Sequence, residues 1–386
     1  PSYSISGVLR FDKALEEGAV KPFDRQEIKP TDIAFLQYTG GTTGVSKGAI
    51  LTHRNMVANL EQANAWVGPG NLKERQEIFI TALPMYHIFA LTANLCLGLR
   101  LGSKNVLITN PRDMGAFLKE LMKHKYSLIT GVNTLFNKML NDPRFAKIDH
   151  SQSKVVLAGG MALQRAVAEK WESITGNRIA EAYGLTETSP GACINPLDGN
   201  IKIGSIGLPI PSTDVILIDD KGKEVKTGER GELCVKGPQV MAGYWEKPKE
   251  TKEVMMGEYF KTGDIAVMEE DGFFKIVDRK KEMILVSGFN VYPNEVEDAI
   301  ALHPKVLEVG VIGVPDKKST EAVKAYIVKS DPSLTAKEIE DHCEKNLTGY
   351  KQPKHIAFTD DLPKSNIGKI MRRILKEKDL RENDYS

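Results

Sequence analysis

The chain has 386 residues, 41% of them hydrophobic, which is enough for two or three domains with sizeable cores. Lys and Arg number 52 against 51 Asp and Glu, so a net charge of +1 favours neither DNA, RNA nor an anionic membrane as main partner, and any anion must be held by a local site. Cys96, Cys193, Cys234 and Cys343 are scattered with no C-x-x-C pair, which argues against a disulfide framework or zinc site and suits small buried residues in a reducing cytoplasm.

The opening PSYSISGVLRFDKALEEG has neither a charged n-region nor an apolar h-region, so no signal peptide is expected. From Asp32 to Tyr183, short apolar runs such as AFLQYT, EIFITAL, NVLIT and KVVLAGG alternate with helical stretches such as HRNMVANLEQANAWV and LQRAVAEKWESI. This alternation predicts βα units around a largely parallel sheet. Within it, Ile78 to Leu99 carries no charge and is about as long as a membrane-spanning helix of roughly 20 residues. Pro84, His87 and Asn94 interrupt the run, which reads instead as a buried strand, loop and helix. Between Ile201 and Ile276 the pattern turns to short β-rich pieces with Gly and Pro turns, such as DVILIDDKGKEV and GELCVKG. After DRKK, helices are expected over Asn294–Leu302 and Ala336–Asn346 with strands in VLEVGVIGV and AVKAYIV. The expected fold class is α/β with α+β: a large domain over residues 1–280 with a β-rich subdomain at 201–276, then a small α+β domain over 281–386.

Two segments carry chemistry of their own. YTGGTTGVSKG, from Tyr38 to Gly48, is expected to follow a strand and lead into the helix beginning near His53. Its glycines let backbone N–H groups turn toward phosphate oxygens, its hydroxyls add donors and Lys47 adds charge. It fails the G-x-x-x-x-G-K-[ST] pattern, since Lys47 follows Ser46 and precedes Gly48. AYGLTET, from Ala182 to Thr188, follows the apolar RIAEAY. A Tyr beside Gly can lie against a base, and Thr186 with Glu187 can reach a hard cation on phosphate. An ordinary turn and a solvated Glu are the plain alternatives.

These segments stand in an ordered series with PMYHIF, LAGGM, GELCVKGPQVMAGYW, YFKTGDIA, GFFKIVDRKKEMILVSGFNVYPNEVE and PKSNIGKIMRR. The series resembles the superfamily of acyl-CoA synthetases, luciferases and nonribosomal-peptide adenylation domains. ITGVNTLFN and VSGFNVYPNEVED look most like bacterial long-chain fatty-acid CoA ligases. The resemblance implies a mobile small domain and ATP-dependent conversion of a fatty acid to acyl-AMP, then to acyl-CoA. ATP and coenzyme A are then co-substrates and Mg2+ the metal. Another carboxylate, a carrier-protein acceptor or a fragment that binds acyl-adenylate without turnover are the alternatives.

Carried over by position, the resemblance makes Thr39, Gly40, Gly41, Thr42, Thr43, Gly44 and Lys47 the phosphate loop. Tyr183 and Gly184, with the backbone of Gly159 and Gly160, would meet adenine. Asp264 would take the ribose hydroxyls, a diol suited to a carboxylate, and Arg279 would complete the nucleotide site. Glu187 would hold the metal with help from Thr186. Lys369 would be the catalytic cation at the α-phosphate. His87, Gly131, Val132 and Gly184 would line the acyl pocket, with Leu91 where a related gate has Trp. Lys281 would be the hinge and Gly288 would face coenzyme A. The resemblance is compatible with a cytoplasmic protein that attaches peripherally to the inner face of the cell membrane. Family members carry a long stretch before the phosphate loop, so a missing N-terminal part is expected. Its uncovered apolar surface is expected to be met by an associated upstream piece or a homodimer.

Overall fold

The computed structural model describes residues 7–39, 46–68, 70–365 and 368–383. The helix α1 (Phe11–Ala19) buries none of its residues. The strands β1 (Ile33–Thr39) and β2 (Lys47–Thr52) pair antiparallel. This corrects two expectations: AFLQYT stands outside the parallel sheet, and the segment after it turns back into a second strand before any helix begins. The hairpin is held from its far side, where Ile50 N–H donates to the Gly243 carbonyl at 2.8 Å and Trp245 N–H to the Gly48 carbonyl at 2.8 Å. Helix α2 (His53–Val67) starts at once because Thr52 and Asn55 cap it reciprocally, each side chain accepting from the other's N–H. Its buried face carries Asn55, Asn59 and Gln62, a polar inner surface that a hydrophobic-period reading does not anticipate.

The strand β3 (Ile78–Thr81) leads through a loop into one helical run of three parts: α3 (Ile88–Ala90), a π-helical turn (Leu91–Cys96) and α4 (Leu97–Leu101). The uncharged stretch is thus strand, loop and helix. Among the described residues no helix is long and apolar enough to cross a membrane. There follow β4 (Lys104–Leu107), α5 (Met114–Lys123), β5 (Leu128–Gly131), α6 (Asn133–Leu140), β6 (Val155–Gly159), α7 (Arg165–Thr175), β7 (Ala180–Gly184), β8 (Gly191–Ile194) and β9 (Leu208–Pro209). They form a seven-stranded sheet in the order β4-β3-β5-β6-β7-β8-β9, parallel from β4 to β7 and antiparallel beyond. Every residue of β5 and β6 is buried, as expected of parallel strands covered on both faces.

A five-stranded antiparallel sheet follows, built from β10 (Asp214–Ile218), β11 (Arg230–Lys236), β12 (Met255–Met256), β13 (Tyr259–Met268) and β14 (Phe274–Arg279), with α8 (Pro248–Val254) leading into β12. The chain from Ile284 makes its own sheet from β15 (Ile284–Val286), β16 (Phe289–Val291), β17 (Val306–Asp316), β18 (Thr320–Lys329) and β19 (His355–Phe358). The helices α9 (Pro293–Ala301), α10 (Ala336–Asn346) and α11 (Arg372–Glu382) cover it. Its core, which includes Val291, Val296, Val311, Ala325 and Ile339, is separate from the core of the large sheet. The fold is therefore a large α/β domain and a small α+β domain.

One glycine expected to line a pocket has a packing role. A Cβ on Gly131 would lie 2.8 Å from the Phe136 ring, which stands edge-on to the fully buried Trp171 at 5.0 Å. The missing side chain makes room for an aromatic ring rather than for a ligand. Gly131→Ala is expected to destabilise by about 1–3 kcal/mol through overpacking. Adding Phe136→Leu should recover part of that loss, because the two residues touch. Urea midpoints of the two single variants and the double variant measure this, and additive losses would contradict the packing account.

Candidate active site

The site begins with a register. Strands β13 and β14 pair so that Asp264 stands opposite Arg279. The Arg279 Nε lies 3.1 Å from one carboxylate oxygen of Asp264, and the Tyr183 hydroxyl donates to the other at 2.6 Å. Residues far apart in the chain thus share one carboxylate, which is almost fully buried. Burial and then the Asp264 charge push the Tyr183 phenol well above its ordinary pKa, so it stays a donor. Each oxygen of Asp264 holds one donor, leaving acceptor capacity for more.

Tyr183 is the penultimate residue of β7, and the last, Gly184, must be glycine. A Cβ on Gly184 would lie 1.8 Å from the Pro190 carbonyl oxygen, closer than any side chain allows. The turn Thr186–Thr188 that follows is tied from several sides. Thr92 Oγ1, from the π-helical turn, donates to the Ser189 carbonyl at 2.8 Å. Asn59 of α2 reads both backbone groups of Gly191, donating at 2.9 Å and accepting at 3.0 Å. Met241 N–H donates to the Glu187 carbonyl at 2.8 Å. The Glu187 carboxylate is buried and accepts the Tyr244 hydroxyl at 2.7 Å, and Lys47 Nζ sits 5.1 Å from the centroid of the same tyrosine ring.

Lys369 enters from the small domain. Its N–H donates to Ser365 Oγ at 3.1 Å, and the neighbouring Gly368 carbonyl accepts Thr134 Oγ1 of the large domain at 3.1 Å. Among the described residues its ammonium has no hydrogen-bond or ion-pair partner. It lines two cavities that meet at the domain junction, and what exposure it keeps faces that cleft. Burial, then the Arg279 charge, lower its pKa to about 8. His87, which lines the same cavity, has its pKa lowered first by burial and then by the Lys369 charge. The His87 Nδ1 accepts from Phe89 N–H at 3.3 Å, so the neutral ring carries its proton on Nε2.

The larger cavity, 1010 Å³, runs from a polar mouth at Thr39, Lys47, Thr186 and Glu187, past His87 and Gly159, into an apolar arm. Ala63 and Val67 of α2, Ala93 and Leu97 of the helical run, Leu157 of β6 and Ile194 of β8 wall that arm. Of the expected site residues, Thr39, Lys47, Gly159, Gly160, Tyr183, Gly184, Thr186, Glu187, His87, Arg279, Lys281 and Lys369 line this cavity, and Asp264 lines the smaller one beside it. Gly131 and Val132 line neither cavity, because Gly131 is filled by the Phe136 ring and Val132 is buried in the core. Gly288 lies in the exposed turn between β15 and β16, away from both cavities. Gly40, Gly41, Thr42, Thr43 and Gly44 lie outside the described residues. Sequence reasoning missed Tyr244 and the α2 wall. The first lay unremarked in a motif, and the second has no signal in a helix whose inner face is polar.

Among the described residues no group of three or more His, Cys, Asp and Glu side chains could hold a metal ion. The single buried carboxylate of Glu187, with one oxygen taken by Tyr244 and the Thr186 hydroxyl beside it in sequence, does not make a protein cage. It does fit Mg2+, which keeps waters and is commonly held by one or two carboxylates plus substrate phosphates.

Known proteins resemble this chain over most of its length. The AMP-binding enzyme model matches residues 4–245 and the AMP-binding enzyme C-terminal domain model matches residues 295–369. A long-chain-fatty-acid–CoA ligase of Escherichia coli is 55% identical over 377 residues, covering 98% of this chain and 67% of the ligase. The ATP-bound structure of MatB from Rhodopseudomonas palustris superposes with a TM-score of 0.87 at 32% identity, over 95% of this chain and 71% of MatB. The o-succinylbenzoate CoA synthetase of Bacillus subtilis, in complex with ATP and a magnesium ion, gives a TM-score of 0.81 at 28% identity, over 94% of this chain and 74% of the synthetase. Since the first model takes in more than half of its residues and a relative this similar is covered over two thirds of its length, the chain belongs to the AMP-binding enzyme family.

Proposed function

We propose that this protein activates a long-chain fatty acid with ATP, releasing pyrophosphate, and passes the acyl group to coenzyme A to give acyl-CoA and AMP. The observation that carries this reading is the Lys369 ammonium, without a partner among the described residues, at the junction of a polar cleft with an apolar arm. The likeness to curated long-chain-fatty-acid–CoA ligases supports the choice of substrate.

A carboxylate is a poor electrophile because its leaving group would be an oxide. Its attack on the α-phosphorus of ATP expels pyrophosphate and forms a mixed anhydride, and the thiol of coenzyme A then attacks the acyl carbon and releases AMP. Lys369 would meet the negative charge that gathers between the carboxylate and the α-phosphate, where a preorganised cation contributes most. Neutral His87, with Nε2–H as donor, would orient the fatty carboxylate while the methylenes occupy the arm walled by Ala63, Ala93 and Leu97. Asp264 would add the ribose diol to its two existing partners, Tyr183 would pack against the base, and the backbone of Gly159 and Gly160 would border it. Residues 40–44 with Lys47 would surround the phosphates. When bound, Mg2+ would neutralise phosphate charge, with Glu187 and Thr186 as its protein contacts. We take Lys281 as the hinge between residues 1–280 and 281–386, and Gly288 as the surface presented to coenzyme A after the small domain turns. We place the enzyme in the cytoplasm, attached peripherally to the membrane where such a substrate partitions.

Pyrophosphate exchange into ATP, dependent on hexadecanoate and not on acetate or malonate, followed by thioester formation with coenzyme A and not with a carrier protein, tests the reading. Lys369→Ala should slow acyl-AMP formation by about 10²–10³-fold and largely spare thioester formation from supplied acyl-AMP. Equal loss in both half-reactions would defeat the assignment. The ammonium is the useful form and is lost as pH rises through its folded-state value. The kcat/KM for ATP in the exchange reaction should therefore fall above about pH 8, and Lys369→Arg should lack that limb. Asp264→Ala should weaken ATP binding by about 1.5–3 kcal/mol, the range for hydrogen bonds to a charged group. 2′-Deoxy-ATP should lose less affinity in that variant than in the parent, and an equal loss would remove the diol contact from the account.

A further inference from the structure

Tyr244 touches two groups that the proposed reaction needs and that no other described side chain connects. Its hydroxyl donates to Glu187 Oε1 at 2.7 Å, and Lys47 Nζ lies 5.1 Å from its ring centroid, within cation–π range. The tyrosine is itself buried and fixed. Its N–H donates to Thr251 Oγ1 at 2.9 Å, and Tyr244 bridges Ala49 in a segment whose neighbours Gly243 and Trp245 bond to β2. The same segment holds the backbone on either side of the carboxylate, since Met241 N–H donates to the Glu187 carbonyl and Ser189 Oγ donates to the Gln239 carbonyl at 2.8 Å. Tyr244 therefore belongs to an irregular segment tied on one side to β2 and on the other to the Glu187 turn.

We infer that Tyr244 is a positioning residue: its hydroxyl sets the Glu187 carboxylate for a divalent cation, and its ring face seats the Lys47 ammonium for the phosphates of the same nucleotide. The inference rests on the proposed ATP-dependent reaction. With Oε1 held, the Glu187 carboxylate cannot turn freely, and Oε2 has no partner among the described residues. A carboxylate held by an outer hydrogen bond presents its free oxygen in one direction, and loss of such a bond typically costs about 10- to 100-fold in metal affinity. The ring and the hydroxyl are separable: Tyr244→Phe removes the donor and keeps the face, whereas Tyr244→Leu removes both.

Mn2+ titrated into enzyme plus ATP, without fatty acid and followed by electron paramagnetic resonance, reads the metal directly. Tyr244→Phe should weaken Mn2+ binding by about 10-fold or more while leaving the affinity for ATP in EDTA unchanged. Tyr244→Leu should weaken ATP binding in EDTA as well. In a Glu187→Gln background, Tyr244→Phe should have no further effect on Mn2+, because its hydroxyl acts through that carboxylate. Unchanged Mn2+ affinity in Tyr244→Phe overturns the inference, as does the same loss with and without Glu187. A parent enzyme that binds neither ATP nor Mn2+ would instead remove the proposed function. Circular dichroism melting of each variant separates these outcomes from misfolding, and Tyr244→Phe should melt within a few degrees of the parent, a shift of about 1 kcal/mol or less.

Discussion

An ammonium drawn partly out of water and given no paired anion among the described residues is the constraint on which the rest of this structure turns. Burial and then the Arg279 charge bring the Lys369 pKa down to about 8, against the opposite pull of Asp264 and Glu282, so a ligand that brings negative charge would be favoured there. The fold keeps it in place through backbone contacts that do not neutralise it: Ser365 holds its N–H and Thr134 holds the carbonyl before it. The charge is left available to whatever enters the cleft. Burial first, and then the same cation, hold the His87 pKa below its ordinary value. Opposite, Asp264 is already engaged by Arg279 and Tyr183, so the carboxylate closes no salt bridge with Lys369.

Around that charge the protein uses polar side chains as struts for backbone. Asn59 reads both groups of Gly191, Thr92 holds the Ser189 carbonyl and Asn55 donates to the Pro238 and Val240 carbonyls. Gln62 extends the set to Pro211 and Gln239. A buried polar group costs stability unless satisfied, and these are satisfied by the first residue of β8 and by the loops around it. The inward polar face of α2 thus fixes the turn that carries Glu187. The same helix lends Ala63 and Val67 to the apolar arm, so one element shapes both the polar and the greasy ends of the cleft.

Much of this was legible in the residues. The alternation from β3 to β7, the β-rich stretch and the separate small domain follow from periodicity and turn residues. Asp264, Arg279, Tyr183 and Lys369 were found because their motifs travel together, and no one of them would have stood out alone. The return of the chain through β2 was not legible, since KGAILT differs little from a helix approach and the segment Gly243–Trp245 that braces its far side lies almost two hundred residues on. Gly131 misled because a small residue reads the same whether it leaves room for a ligand or for the Phe136 ring. Tyr244 was passed over because its significance lies in what meets its two ends, which local sequence does not record.

The joint between the two domains is polar. It includes the Asn137 amide on the Leu307 carbonyl, the Asn294 N–H and the Arg372 guanidinium on Asp278, and the Arg230 guanidinium over the Tyr292 ring. Among the described residues no apolar cluster spans it. Hydrophobic contact is the part of protein cohesion that varies most steeply with temperature, through the heat capacity of exposed apolar surface. A joint built from amides and charges escapes most of that dependence. If the small domain turns as proposed, the balance between its positions should therefore drift little between a cold and a warm cell.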